Sequence, residues 1–254
     1  MLDAHCHLDR YKNPVDIASN AAAHGVFTIA VTNLPSHFLA GLPHVRNLKR
    51  VRLALGLHPL AAVDHNRERK IFKDSIHLTS FVGEVGLDFS REGKDTRVIQ
   101  LESFRLVAKS IAAGSKVVSL HSRGAESAVL DILMEYKVPI AIFHWYSGSL
   151  SVLDEVVSKG HLFSVNPAMV YSQKGKQIIA RIPPDQILTE TDGPYTKIGG
   201  VPARPWDVVN VEKYLSEVWA VKPESVRNRV WSNFREMLTM LGHLGEEKRI
   251  VLEK

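Results

Sequence analysis

Eight short apolar or β-branched runs alternate with stretches patterned for helix along almost the whole chain. No other feature narrows the fold so far. The runs are 1–5, 26–32, 51–55, 81–85, 116–120, 139–143, 161–165 and 186–190. Each is about a strand long, and several are apolar throughout, as strands covered on both faces must be. Helical patterns fill 14–23, 95–113, 124–136, 149–158, 173–181, 205–218 and 223–242. Asn13 is the expected N-cap before Pro14, and Gly114 the expected stop of the second helix. Strand–helix alternation of this kind gives parallel β-α units, in a closed barrel or a doubly wound sheet. Polar residues decide between the two. His5, His7, Asn33, His58, Glu84, His121, His144, Asn166 and Asp192 stand at or just past the C-terminal ends of the runs. A barrel brings all those ends to one face, whereas an open sheet spreads them across its width. The expected fold is therefore a single α/β TIM-type (β/α)8 barrel over 1–254, and 254 residues is the usual length for one.

Composition removes several other classes. With 45% hydrophobic and 23% charged residues the chain is neither disordered nor fibrous. Its one cysteine, Cys6, rules out an internal disulfide framework or a cysteine-rich zinc module. A net charge of +5 suits a polyanionic partner without demanding one. The start, MLDAHCHLDR, lacks the basic-then-apolar order of a signal peptide, and no run of 18 apolar residues occurs. A cytoplasmic protein with no membrane partner is expected.

The strand-end residues have the chemistry of a metal site. His5-Cys6-His7 places two imidazoles on one side of a strand, where both can meet one ion. Glu84 is a carboxylate inside an apolar run, seldom buried without a partner, and Gly83 and Gly86 let other groups approach it. A salt bridge is the bland alternative. His121 and His144 end successive runs; either alone reads as a core or loop histidine, and together they suggest a shared ion. Asp192 sits in a turn-prone Asp-Gly-Pro, but it also follows a strand, where it could bind a metal and accept a proton from water. Glu190, two residues earlier on the same side, could ligate or orient a ligand. Mixed nitrogen and oxygen donors around a shared glutamate suit two divalent ions, with zinc, magnesium and manganese all open. Neither a phosphate loop nor a nucleophile elbow is present.

Taken together, DAHCHLD (3–9), GLHP (56–59), GEVGLDF (83–89), LHSRGA (120–125), FHWYSG (143–148), TETDGPY (189–195) and SNFREML (232–238) resemble the TatD family of metal-dependent deoxyribonucleases. They occur in the family's order and span nearly the whole chain. The resemblance implies an amidohydrolase-type barrel that hydrolyses phosphodiesters in DNA, from a 3′ end. It implies His5, His7, Glu84 and Asp192 around one ion, with Glu84, His121 and His144 around a second. Asp192 is then the proton acceptor, and no protein nucleophile is required. The segment Val31–His37 also resembles the TatD-like component of Qat anti-phage defence systems, which implies Qat-type protein partners.

Two departures from the family pattern bear on substrate. Trp145 and Tyr146 replace the usual cysteine and phenylalanine, and Val201-Pro-Ala-Arg-Pro-Trp206 replaces an Arg-Asn-Glu-Pro stretch. His58 and Arg123 are expected phosphate contacts, Trp145 and Tyr146 expected stacking partners for a base, and Trp206 is expected to help narrow the mouth. The alternatives are an amidohydrolase or esterase acting on a small molecule or on the ester of a mischarged tRNA, and a barrel kept only to bind a partner.

Overall fold

The computed structural model describes residues 1–112 and 115–243. Among the described residues nine strand segments form the barrel wall, β1 (Leu2–Cys6), β2 (Phe27–Ala30), β3 (Val51–Leu53), β4 (Leu55–Leu57), β5 (Phe81–Gly86), β6 (Val117–His121), β7 (Ile142–His144), β8 (Leu162–Val165) and β9 (Ile187–Thr189), and a short antiparallel pair, Lys197–Ile198 with Val201–Pro202, stands apart from them. All neighbouring pairs in the wall are parallel. β3 and β4 are two halves of one run, broken at Ala54, whose N–H donates to the carbonyl of Ala30. The first half pairs with β2 and the second with β5, so eight runs make the circuit. Closure between the last run and the first uses both backbone and side chain. Asp192 N–H donates to His5 O at 2.9 Å, while Thr191 donates its N–H and hydroxyl to the two carboxylate oxygens of buried Asp3, at 2.9 and 2.6 Å. The eight expected runs and the barrel are thus as the sequence indicates.

Close approach at the top of this wall depends on one glycine. Thr32 N–H donates to Gly83 O and Glu84 N–H donates to Thr32 O, both at 3.1 Å. A Cβ on Gly56 would lie 1.5 Å from Thr32 O, so only glycine lets the strands meet there. The first half of the Val31–His37 segment is consumed by this packing.

Around the strands run α1 (Pro14–Ala23), α2 (Pro35–Val45), α3 (His65–Ser75), α4 (Arg97–Ile111), α5 (Glu126–Glu135), α6 (Leu150–Ser158), α7 (Pro167–Tyr171), α8 (Gln173–Arg181), α9 (Val209–Val218) and α10 (Pro223–Met240). Asn13 precedes α1 as expected, but its side chain makes no capping bond. The expected stop at Gly114 and residues 244–254 lie outside the described residues. α2, α3 and the short α7 are additions to the sequence reading. Pro35, Gly41 and Pro43 disguise α2, and α3 (HNRERKIFKDS) is too polar to present an apolar stripe. At the N-terminal end of the barrel, Phe27 packs against Phe81, Trp231 and Phe234, and Asn233 donates to Pro184 O and Ile187 O at 2.8 Å each. The SNFREML segment thus anchors α10 to the strands at the end away from the polar cluster. Among the described residues no helix is long and apolar enough to cross a membrane.

His161 carries a testable consequence of this packing. It is buried, and its Nδ1 accepts the Ala141 N–H at 3.2 Å. Burial lowers its pKa from the ordinary 6.5 to about 4. The unfolded chain therefore takes up a proton between pH 6.5 and 4 that the folded chain refuses, so stability present above pH 6.5 is lost as pH falls. With a chelator present, urea unfolding should show wild type losing up to about 3 kcal/mol more than His161→Asn over that window. Parallel pH profiles would refute the assignment.

Candidate metal centre

The barrel's period-2 alternation aims residues i and i+2 at the same point, and the polar cluster is built from such pairs. His5 and His7 end β1 with their Nε2 atoms 3.3 Å apart. Asp192, just past β9, brings Oδ1 to 3.7 and 3.5 Å from those nitrogens. Glu84, near the end of β5, lies between the walls. Its Oε2 is 3.5 Å from His5, 3.2 Å from His7 and 3.2 Å from His58, and its Oε1 is 2.6 Å from His121 Nδ1 and 3.0 Å from His144 Nε2. One carboxylate therefore turns one oxygen to each of two groups of imidazoles. All six expected ligands meet here, and only His121 among them retains more than slight exposure.

Outer contacts indicate which nitrogen of each ring is free. His5 Nδ1 bonds Ser119 Oγ at 2.7 Å, leaving Nε2 toward Asp192. His121 Nε2 bonds Asp88 Oδ2 at 2.8 Å, leaving Nδ1 toward Glu84. His144 Nδ1 faces Glu190 Oε1 at 3.4 Å, leaving Nε2 inward. Rings held by a carboxylate or hydroxyl at one nitrogen and pointing the other at a common centre are the arrangement that metal-binding histidines adopt. His58 differs. Its Nδ1 accepts the Leu60 N–H at 3.1 Å, so the proton of the neutral ring is on Nε2, the atom that faces Glu84. Although His58, Glu84 and His121 are close enough to form a metal triad, this tautomer makes His58 a donor. The sets His5, His7, Glu84 and His5, His144, Asp192 converge closely with free acceptor atoms, so the donors present fit divalent cations.

The electrostatics show what this crowding does to each group. Burial pushes Glu84 up, but His58, His144 and His121 together outweigh it and hold its carboxyl well below the usual range. Burial also depresses His5 strongly, reinforced by His144, whose ring stacks on it at 3.8 Å. His144 goes the other way: Glu190 and Glu84 overcome its burial and raise it well above the ordinary value. Asp192 is pushed up by burial to about 7, against the pull of His144 and His7. Two carboxylates among four imidazoles make a mixed oxygen and nitrogen donor set of the kind divalent cations take.

Above the cluster opens a cleft of about 590 Å³, with His58, Arg123, Trp145 and Tyr195 in its lining. Arg123 is 57% exposed and pairs with Glu92 at 3.5 Å, an exposed contact that leaves it available. Trp145 is one-third exposed at the rim. Tyr146 corrects the sequence reading. It is 1% exposed, packs on Phe143 and Phe163, and donates its hydroxyl to Ser149 O, so it is core and cannot stack on a base. Trp206 is also away from the mouth, stacked on His24 just past the end of α1 with the Arg204 guanidinium over its ring. Sequence reasoning missed Asp88, Ser119 and Tyr195. Ser119 stands two residues before His121 on one strand, and Asp88 two past Gly86, so the same alternation could have found both. Tyr195 sets its ring edge-on to His7 at 4.9 Å, and nothing in the turn sequence gives its direction.

A family model described as TatD related DNase matches residues 2–239. The chain belongs to the TatD-related DNase family. Among its relatives, an uncharacterized metal-dependent hydrolase of Methanocaldococcus jannaschii is 28% identical, over 91% of this chain and 94% of that one. The human Deoxyribonuclease TATDN3 is 25% identical over 96% of each chain. The crystal structure of the TatD homolog YJJV from Escherichia coli shares the fold with a TM-score of 0.80, covering 94% of this chain and 97% of that one at 24% identity. A TatD-family hydrolase of Entamoeba histolytica superposes with a TM-score of 0.79 at 17% identity, over 93% of this chain and 97% of that one. This TatD-family chain is an enzyme, a metal-dependent hydrolase, and its barrel is the TatD fold.

Proposed function

We propose that the chain is a two-metal deoxyribonuclease that removes nucleotides from single-stranded or frayed 3′ DNA ends. The observation that carries this reading is the split use of Glu84, one oxygen toward His5 and His7 and the other toward His121 and His144. His5, His7, Glu84 and Asp192 would hold one divalent cation, and Glu84, His121 and His144 the other. Bound there, the pair supplies Lewis-acid charge to the phosphoryl group and acidifies a water. The protein's own groups do the rest. Asp192, at the mouth side of the cluster, takes the proton from the attacking water. His58 Nε2–H and the Arg123 guanidinium donate to phosphate oxygens, and the exposed face of Trp145 stacks a terminal base, worth about 1–3 kcal/mol. A cleft at one end of a closed barrel admits a chain end more readily than a continuous duplex, and a net charge of +5 is a weak grip for long duplex.

The test compares end-labelled linear single-stranded DNA with a covalently closed single-stranded circle, using protein loaded with Zn²⁺, Mn²⁺ or Mg²⁺. Stepwise loss from the 3′ end with the circle spared is expected, and rapid nicking of the circle would overturn the end-specific reading. Arg123→Ala should weaken DNA binding and lower the slope of log affinity against log salt by about 0.7, the share of one single-strand phosphate contact. An unchanged slope would make Arg123 a surface turn residue paired with Glu92.

A further inference from the structure

Glu190 is fully buried, yet no step proposed above uses it. It follows β9, where its N–H donates to Val165 O, and its side chain gathers groups from the ends of two neighbouring strands, β7 and β8. Oε2 accepts the hydroxyl of Ser164. Oε1 accepts from Asn166 Nδ2 at 2.9 Å and from the Trp145 backbone N–H at 3.2 Å, and it faces His144 Nδ1 at 3.4 Å. Because it meets the outer edge of the His144 ring, it stands one layer behind the inward-facing Nε2. Trp145 follows directly and has φ +38°, a left-handed conformation uncommon for a bulky residue, with its side chain on the cleft rim. The same carboxylate oxygen therefore sets the tautomer and direction of a ligand and holds the backbone turn that presents the rim tryptophan.

We propose that Glu190 is a positioning residue that ties the ligand His144 to the rim residue Trp145, so that loading His144 with a cation and setting the rim are one event. The proposal rests on His144 being a ligand, and its test needs no DNA. Zn²⁺ is titrated into the chelator-treated protein, reading heat and tryptophan emission. Wild type should show an emission change with the same midpoint as the heat, and Trp145→Phe should remove that change while keeping the heat. Glu190→Gln keeps the shape and an acceptor oxygen, so the fold should persist. It should move both midpoints to about 10–100-fold higher zinc, the usual effect of losing an outer carboxylate behind a ligating histidine. Ser164→Ala removes a bond from the other oxygen of the same carboxylate and should leave both midpoints in place, although it lowers thermal stability. Glu190→Gln with wild-type midpoints, or Ser164→Ala shifting them equally, would reduce Glu190 to packing and overturn the proposal without touching the metal-dependent reading. A wild-type emission insensitive to zinc that binds would break the link to the rim. Absence of binding of Zn²⁺, Mn²⁺ and Mg²⁺ alike by wild type would overturn the two-metal reading itself, and this proposal with it.

Discussion

Glu84→Gln should abolish most turnover, by about 1,000-fold or more, while leaving the barrel folded. A charge stabilisation of several kcal/mol from the proposed cation pair is at stake, and each 1.36 kcal/mol is tenfold in rate. Glutamine fits the same space, but one of its two polar atoms becomes a donor. It then points an N–H₂ at one of the two groups of imidazoles that Glu84 now serves with oxygens on both sides. The loss should therefore appear first in metal binding. Divalent ions should raise the Tm of wild type by mass action, and that increment should shrink sharply in the variant, with far-UV circular dichroism unchanged. Near wild-type turnover in a variant shown by elemental analysis to hold no metal would sink the two-metal mechanism.

Asp192→Asn should lower kcat by about 10²–10⁴-fold, the range for losing a positioned general base. Asparagine is chosen for a backbone reason. Asp192 has φ +50°, a region that asparagine tolerates better than most residues. Its N–H closes the barrel on His5 O and its carbonyl accepts the Tyr195 N–H at 2.9 Å, so both contacts persist in the variant. Metal content distinguishes the two roles assigned to this carboxylate. If kcat falls while both ions are retained, Asp192 acts on the proton; if one ion is lost in proportion to rate, it acts as a ligand. A kcat within tenfold of wild type with full metal content would remove it from the reaction.

Much of this site was readable because strands carry their own direction signal. His5 and His7 share a face by alternation, and the positions of Glu84, His121, His144 and Asp192 at run ends are enough to bring them together once the sheet closes. The two readings that failed are both in loops, where no period applies. Tyr146 stands two residues past His144, and nothing in FHWYSG says that Trp145 turns outward and Tyr146 inward; the left-handed φ of Trp145 makes that choice. Trp206 lies beyond the last barrel strand, in a segment whose path over α1 depends on a tertiary contact with His24. The helices escaped where proline or dense charge masked the apolar stripe, as in α2 and α3. His58 was expected to meet phosphate, and its proximity to Glu84 could have made it pass for a ligand. The Leu60 N–H decides its tautomer, a detail that only the fold supplies.

The closure of the barrel has a consequence for how the protein is made. Thr191 and Asp3, which clasp the last run to the first, are 188 residues apart in the chain. On a ribosome adding about 5–20 residues per second, the N-terminal strand waits roughly 10–40 s for its neighbour. Throughout that interval His5 and His7 are already synthesised, but Asp192 is not. A nascent chain can therefore offer a cation two imidazoles at most from its first strand, with no enclosing carboxylates until β5 and then β9 arrive. The proposed two-ion centre is therefore complete only once Asp192 and β9 have been made, and a chain stopped short of them should hydrolyse no DNA.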